Sequence, residues 1–226
     1  PQIQSQNINR HLKIANNLLK NGNAYKCICA EDDLVDRRKK INSGEINSKK
    51  ICITCEKNKE VQSLESGFVI RIKIPTHGSE ILEDVIQGRV EVKNNEIDDF
   101  VLVRKDNTPT YMLSVVVDDH DLGVNYIIRG DDHLNNYFRQ KFIYQHMNWK
   151  VPQYAHIPLI HGEDGTKLSK RHGAVNLIDL KNEGYLPEAI INNLILLGWS
   201  PKNQDDEIIQ LQKIISKFEI HSLSKS

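Results

Sequence analysis

The chain lacks any long hydrophobic run. Its longest uncharged apolar stretch, Tyr111 to Val117, falls far short of the ~20 residues that a spanning helix needs, so no membrane partner is expected. It lacks net charge: thirty basic and thirty acidic side chains cancel, so no global field draws it toward nucleic acid or a lipid surface. An apolar leader is missing too. Pro1–Lys20 holds no apolar core segment, and neither a secretory signal nor a transit peptide is expected. Cysteine is scarce, four in 226 residues, which reads as a reduced, cytoplasmic protein and not a disulfide scaffold. What remains is an ordinary folding composition, 39% hydrophobic and 27% charged, enough for one large domain or two small ones.

The zero balance hides segregation. Residues 1–66 carry twelve basic and eight acidic side chains, residues 78–133 five and thirteen, and residues 137–185 seven and four. Two mildly basic stretches flank an acidic one, and solvated faces account for such runs as readily as a polyanion does.

Apolar spacing predicts a helix over Ser5–Asn21, with Ser5 as N-cap and Gly22 as stop. Strands are expected at Ala24–Cys29, Phe68–Ile74, Val90–Val92, Phe100–Arg104, Tyr126–Arg129 and Ile157–Ile160. Helices are expected at Glu31–Ile41, Tyr111–Asp119 (opened by Pro109), Asp131–Met147, Leu177–Glu183, Leu186–Leu197 and Asp205–Phe218. From residue 100 onward strands and helices alternate, which argues α/β with a small parallel sheet; the first hundred residues read as a separate α+β unit. Trp149 and Trp199, at helix ends, read as core residues.

Four groups of residues are candidates for chemistry. In Gly165–Gly173, reading GTKLSKRHG, the cations Lys167, Lys170 and Arg171 and the hydroxyl of Ser169 are bracketed by glycines just after a strand. Cations so close repel one another unless an anion joins them, and a glycine-flanked loop lets them converge on phosphate. An exposed basic turn is the plain alternative. Arg129 follows a strand and precedes Gly130; a cation at a strand's carboxyl end points into the crevice where α/β folds bind ligands, and its guanidinium fits a carboxylate. An ion pair with Asp131 or Asp132 is the structural alternative. Cys27-x-Cys29 and Cys52-x-x-Cys55 make two close thiol pairs, the ligand number and knuckle spacing of a structural Zn²⁺ site; four free thiols are the alternative. Asp118, Asp119 and Asp121 look like a hard-metal cluster. Consecutive helical residues point in different directions, so capping and ion pairing are preferred for them. His11, His77, His146, His156, His161 and His221 are assigned no role, and His133 and His172 read as structural.

The segment GEDGTKLSKRHGA resembles the KMSKS-type loop of class I aminoacyl-tRNA synthetases, in the form KLSKR. The resemblance then spreads. DFVLVRKDNTPTYMLSVVVDDHDLGVNYIIRGDDHL, AHIPLIHGEDGTKLSKRHGA, GYLPEAIINNLILLGWSP and the opening QSQNINRHLKIANNLLKNGNAYKC resemble bacterial glutamyl-tRNA synthetase over nearly the whole chain. One departure stands out: no HxGH signature occurs, so the chain looks like an interior fragment, starting after the first half of the nucleotide-binding fold and stopping before the anticodon-binding region.

The resemblance implies an α/β fold: the second half of a class I Rossmann-type catalytic domain, an α+β acceptor-binding insertion, and the start of a helical stem-contact domain. It implies residues 1–110 as the insertion that grips the tRNA acceptor end, 111–163 as the half-fold, and 164–226 as catalytic loop and stem contact. It implies glutamate activation by ATP, with Mg²⁺ carried on the ATP, then transfer to the terminal adenosine of tRNA. Tyr111 and Arg129 would contact glutamate, and Lys167 and Lys170 ATP, with Ser169 and Arg171 completing the catalytic loop. Zinc at Cys27, Cys29, Cys52 and Cys55 occurs at this place in some members; Cys55 is the least secure ligand. A monomer, inactive as an isolated piece, is expected. Two other readings stay open: a glutamyl-queuosine tRNA(Asp) synthetase, and a non-catalytic zinc and tRNA-binding module.

Overall fold

A computed structural model describes residues 3–161, 176–199 and 208–223. The KLSKR loop, with Lys167, Ser169, Lys170 and Arg171, lies outside the described residues, as does His172. The chain divides into two compact units. One comprises residues 1–82, 89–126 and 135–152; the other comprises 83–88, 127–134 and 153–226.

The first unit is built on helix α1 (Ile8–Lys20) and a three-stranded antiparallel sheet of β1 (Ala24–Cys27), β2 (Val69–Ile72) and β5 (Val101–Val103), in the order β1-β2-β5. His11, Ile14, Ala15 and Leu18 are buried, at the i, i+3, i+4, i+7 spacing that puts them on one helix face. The N-cap is Asn7 and not Ser5, because a 3-10 turn occupies Gln4–Gln6. Asn7 makes no cap bond; its side chain instead donates to Asp118 Oδ1 at 2.7 Å. The stop is as expected. Gly22 takes φ +73°, and the N–H groups of Gly22 and Asn23 return to the carbonyls of Leu19 and Leu18, closing the last turn. Strand β1 pairs Ala24 with Ile72 through Cys27 with Val69, leaving the thiol of Cys27 at the sheet end.

The sequence places β5 in the parallel alternation; it pairs antiparallel with β2 instead, with a register irregularity at Ile70/Arg71. It passes through an isolated bridge of Val103 with Pro109 into α4 (Tyr111–Asp121). The Val115–Val117 run is helical because Leu113, Val116 and Val117 bury one face, and that packing overrides the strand preference of β-branched residues. Helices α2 (Glu31–Asn42), with three acids in its first turn and two lysines in its last, and α3 (Lys59–Ser63), capped by Asn58, complete the early part.

Strand β3 (Ser79–Asp84), paired with β4 (Gly88–Lys93), has no counterpart in the sequence reading. Its two glutamates and terminal aspartate are poor strand formers. Within the first unit Glu80 is paired to Lys141 at 2.6 Å. The hairpin turn, residues 83–88, belongs to the second unit.

In the second unit, β6 (Tyr126–Gly130) and β7 (Gln153–Ile157) form a two-stranded sheet. The expected strand at Ile157–Ile160 sits earlier in the chain, since Pro158 has no N–H to give a ladder. Asp131 does not cap a long helix: Asp131–His133 is a 3-10 turn, and α5 (Leu134–His146) follows it in the chain, its residues from 135 onward counted with the first unit. Farther along come α6 (Leu177–Asn182), opened by a capping box of Asn176 and Asp179, α7 (Pro187–Leu196), and α8 (Leu211–Lys217). Trp199, Ile209 and Ile214 form a small core there, and the Trp199 indole donates to Ser222 Oγ at 2.7 Å. Trp149, in the first unit, is only half-buried and stacks on His120 with ring centroids 3.7 Å apart. Among the described residues no helix is long and apolar enough to cross a membrane.

Candidate functional site: an arginine at a strand end and a four-cysteine cluster

Arg129 is the penultimate residue of β6. Its Nε–H donates to His156 Nε2 at 3.1 Å, and its guanidinium carbon stands 5.1 Å from the Tyr154 ring centroid. Both partners come from β7, whose alternate residues Tyr154 and His156 stack nearly parallel, their rings 5.9 Å apart at 8°. Behind them the hairpin turn supplies Asp84. Its Oδ2 lies 2.6 Å from His156 Nδ1, and its Oδ1 accepts the N–H groups of Ile86, Gln87 and His156. The side chains of Asp84 and His156 are both fully buried. Two further bonds tie turn to strand, Val85 N–H to the Tyr154 carbonyl and the Gln87 amide to the His156 carbonyl, each 3.0 Å.

Charge in this group is settled by its surroundings. Burial, with Arg129 nearby, holds the His156 imidazole below its usual range against the pull of Asp84. Burial pushes Asp84 up, but the donated N–H bonds of Gln87, His156 and Ile86 and the imidazole bond outweigh it, and its carboxyl is held low. Gly130 is small for a reason: a Cβ there would stand 2.7 Å from Asp132 Oδ1 and 3.1 Å from Leu159 Cδ2. The guanidinium is held at its Nε edge by His156 and on one face by Tyr154.

Tyr111, the other predicted glutamate contact, opens α4 in the first unit and is half exposed, so it is not a core tyrosine. His156 and Asp84 had escaped the sequence reading. The histidine lies in the AHIPLIHG segment without a local sign of its partners, and the aspartate sits in a strand that its own acids disguise.

The four cysteines converge in the first unit. All four thiols are free, and their sulfurs lie within 4.8 Å of one another. Cys29 Sγ is 3.5 Å from both Cys52 and Cys55, too far for a disulfide. Sulfurs arranged tetrahedrally around Zn²⁺ at ~2.3 Å stand about 3.8 Å apart, so the donor set fits that ion. Cys27, Cys52 and Cys55 are buried with Tyr25 and Val61. Asp99 anchors the second pair. It accepts the N–H groups of Ile51 and Cys52 and the Tyr25 hydroxyl, while Arg71 donates to its carbonyl at 2.9 Å. The Gln62 amide accepts from Lys26 N–H and donates to the carbonyls of Lys26 and Cys55, joining β1 to the second pair. The thiols compete for charge. A hydrogen bond from Cys27 pulls Cys52 down, the same contact and burial push Cys27 up, and burial raises Cys29 to about 11.

Two of the three acids of the cluster, Asp118 and Asp121, are engaged in hydrogen bonding and ion pairing. Asp118 accepts from Gln4, Asn7 and His11, and Asp121 pairs with Arg10.

The sequence profile described as "tRNA synthetases class I (E and Q), catalytic domain" matches residues 1–226. The chain belongs to that family. It is 47% identical over 224 residues to glutamate–tRNA ligase 2 of Ehrlichia chaffeensis, covering 99% of this chain and 47% of that protein. It is 48% identical over 218 residues to glutamate–tRNA ligase 2 of Zymomonas mobilis, covering 96% and 45%. The crystal structure of a glutamate tRNA ligase from Elizabethkingia meningosepticum, in complex with its amino acid, superposes with a TM-score of 0.84 at 28% identity, over 100% of this chain and 51% of that one. The chain thus spans about half the length of the curated relatives it matches, and its fold is that of a class I synthetase catalytic-domain segment.

Proposed function

We propose that the chain is the part of a glutamyl-tRNA synthetase that holds glutamate by its carboxylate and meets the tRNA acceptor end. The observation that carries this is Arg129, clamped at the end of β6 by His156 and Tyr154 within a chain matched along its whole length by the synthetase family. In this reading glutamate's carboxylate attacks the α-phosphate of ATP, pyrophosphate leaves, and the glutamyl group passes to the terminal adenosine of tRNA. Such transfer depends on positioning and on neutralising charge. Lys167 and Lys170 would meet the phosphates, with Ser169 and Arg171 shaping the loop, and Tyr111 would join Arg129 at the amino acid. Mg²⁺ would arrive with ATP. Residues 1–110 would bind the acceptor end, with Cys27, Cys29, Cys52 and Cys55 holding a structural Zn²⁺ that ties the two thiol pairs together.

The test is amino-acid-dependent exchange of pyrophosphate into ATP, with tRNA present, by protein expressed from the full reading frame. Exchange with glutamate and not with aspartate or glutamine is expected. Exchange with none of the three overturns the proposal.

A further inference from the structure

Resting on the reading of Arg129 as the glutamate carboxylate clamp, we infer that Asp84 and His156 form a positioning relay that sets the plane of that guanidinium by fixing the imidazole tautomer. An arginine Nε can only donate, so the Nε2 of His156, 3.1 Å away, must be the bare nitrogen. The proton therefore sits on Nδ1 and is given to Asp84 Oδ2 at 2.6 Å. No other protonation state satisfies both contacts. A doubly protonated ring would turn an N–H against the arginine, and the opposite tautomer would break both bonds at once.

Asp84 can hold this state because it is itself held. Three backbone N–H groups, those of Ile86, Gln87 and His156, converge on Oδ1; the His156 N–H also lies 3.2 Å from Oδ2, which faces the ring. Tyr154 lies parallel to the imidazole on the same strand and takes the guanidinium on its face. With its Nε edge and one face committed, the guanidinium keeps a single plane. A carboxylate accepted in two parallel bonds needs that plane fixed, since a rotated fork offers one bond at a time. Asp84 and His156 touch no substrate in this account; they act through Arg129.

The chemistry suggests near-isosteric tests. In Asp84→Asn the amide oxygen can keep the three backbone bonds. The amide nitrogen then faces Nδ1 and forces the proton to Nε2, against Arg129. In His156→Asn a donor still reaches Asp84 but nothing reaches Arg129, whereas the longer His156→Gln side chain places an oxygen near the lost Nε2. The experiment uses protein from the full reading frame. It measures glutamate and ATP KM by pyrophosphate exchange, and the His156 tautomer by imidazole ¹⁵N shifts. The wild type should show the Nδ1–H form. Asp84→Asn should show the Nε2–H form, and both it and His156→Asn should raise glutamate KM at least about tenfold, the scale of one hydrogen bond to a charged group, with ATP KM unchanged. His156→Gln should recover part of the loss. An Nε2–H wild type, or an Asp84→Asn protein with the switched tautomer and an unchanged glutamate KM, overturns the relay. Arg129→Lys separates the two layers. An unchanged glutamate KM there overturns the clamp reading and the relay's purpose with it, while an Nε2–H wild type beside a defective Arg129→Lys overturns the relay alone.

Discussion

Arg10 and Asp121 meet in two hydrogen bonds, of 2.7 and 2.8 Å, that join α1 to α4. The bond from Arg10, ahead of that from His120, lowers the Asp121 carboxyl from 3.8 to about 2. A depressed carboxylate stabilises the fold above its unfolded pKa, and that contribution is lost as pH falls toward the folded one. Both side chains are about a third exposed, which caps the effect. Asp121→Asn should therefore cost less than about 1 kcal/mol at pH 7. The gap from wild type in urea melts should shrink between pH 4 and pH 2; a gap as wide at pH 2 as at pH 4 contradicts the assignment. On the proposed reading Arg129 is the functional counterpart. Arg129→Ala should reduce kcat/KM for glutamate by at least about tenfold, since a charged two-point contact disappears, with little change in ATP KM. Steady-state exchange kinetics measure both.

The elements differ in how openly their sequences declare them. α1 shows its buried stripe plainly, and β1 ends where the first cysteine pair begins. β3 conceals itself behind Glu80, Glu83 and Asp84, because its stability comes from partners far along the chain, such as Lys141, which donates to the Ile81 carbonyl and pairs with Glu80. The same blindness covers Asp99. It opens an apolar strand in the sequence, yet in the structure it holds the loop that carries Cys52. Asp99→Ala would leave the N–H groups of Ile51 and Cys52 without their acceptor in a buried place. A loss on the order of 3 kcal/mol is expected. If the thiols hold zinc, wild-type protein purified without chelator should carry about one Zn²⁺ per chain. Asp99→Ala should carry markedly less although Asp99 is no ligand. Elemental analysis of both proteins decides; zinc below a tenth per wild-type chain removes the metal from the account.

At the scale of the molecule, what could be read from residues was whatever is written contiguously. The KLSKR run, the two cysteine pairs and Arg129 before Gly130 are short, local patterns, and the family resemblance is carried by the KLSKR run and the long contiguous segments around it. The pair behind Arg129 could not, since Asp84 and His156 are separated by 72 residues and meet only through the hairpin turn and β7. On the proposed reading, Lys170→Ala in protein from the full reading frame should slow adenylate formation by roughly 10²-fold, the loss typical of one group that stabilises transition-state charge. Single-turnover measurement checks this, and near-normal turnover would pass the role to Lys167 or Arg171.

The same separation sets a clock during synthesis. The second unit gathers three stretches of chain, 83–88, 127–134 and 153 onward. When the ribosome has made Asp84, the imidazole that will take its carboxylate is 72 residues away. At 5–20 residues per second the wait is roughly 4–14 s. For that interval the turn's carboxylate has only its own neighbouring N–H groups and water for company. The group around Arg129 is therefore among the later features to assemble on a growing chain, after α1, β1, β2 and β5 have all emerged.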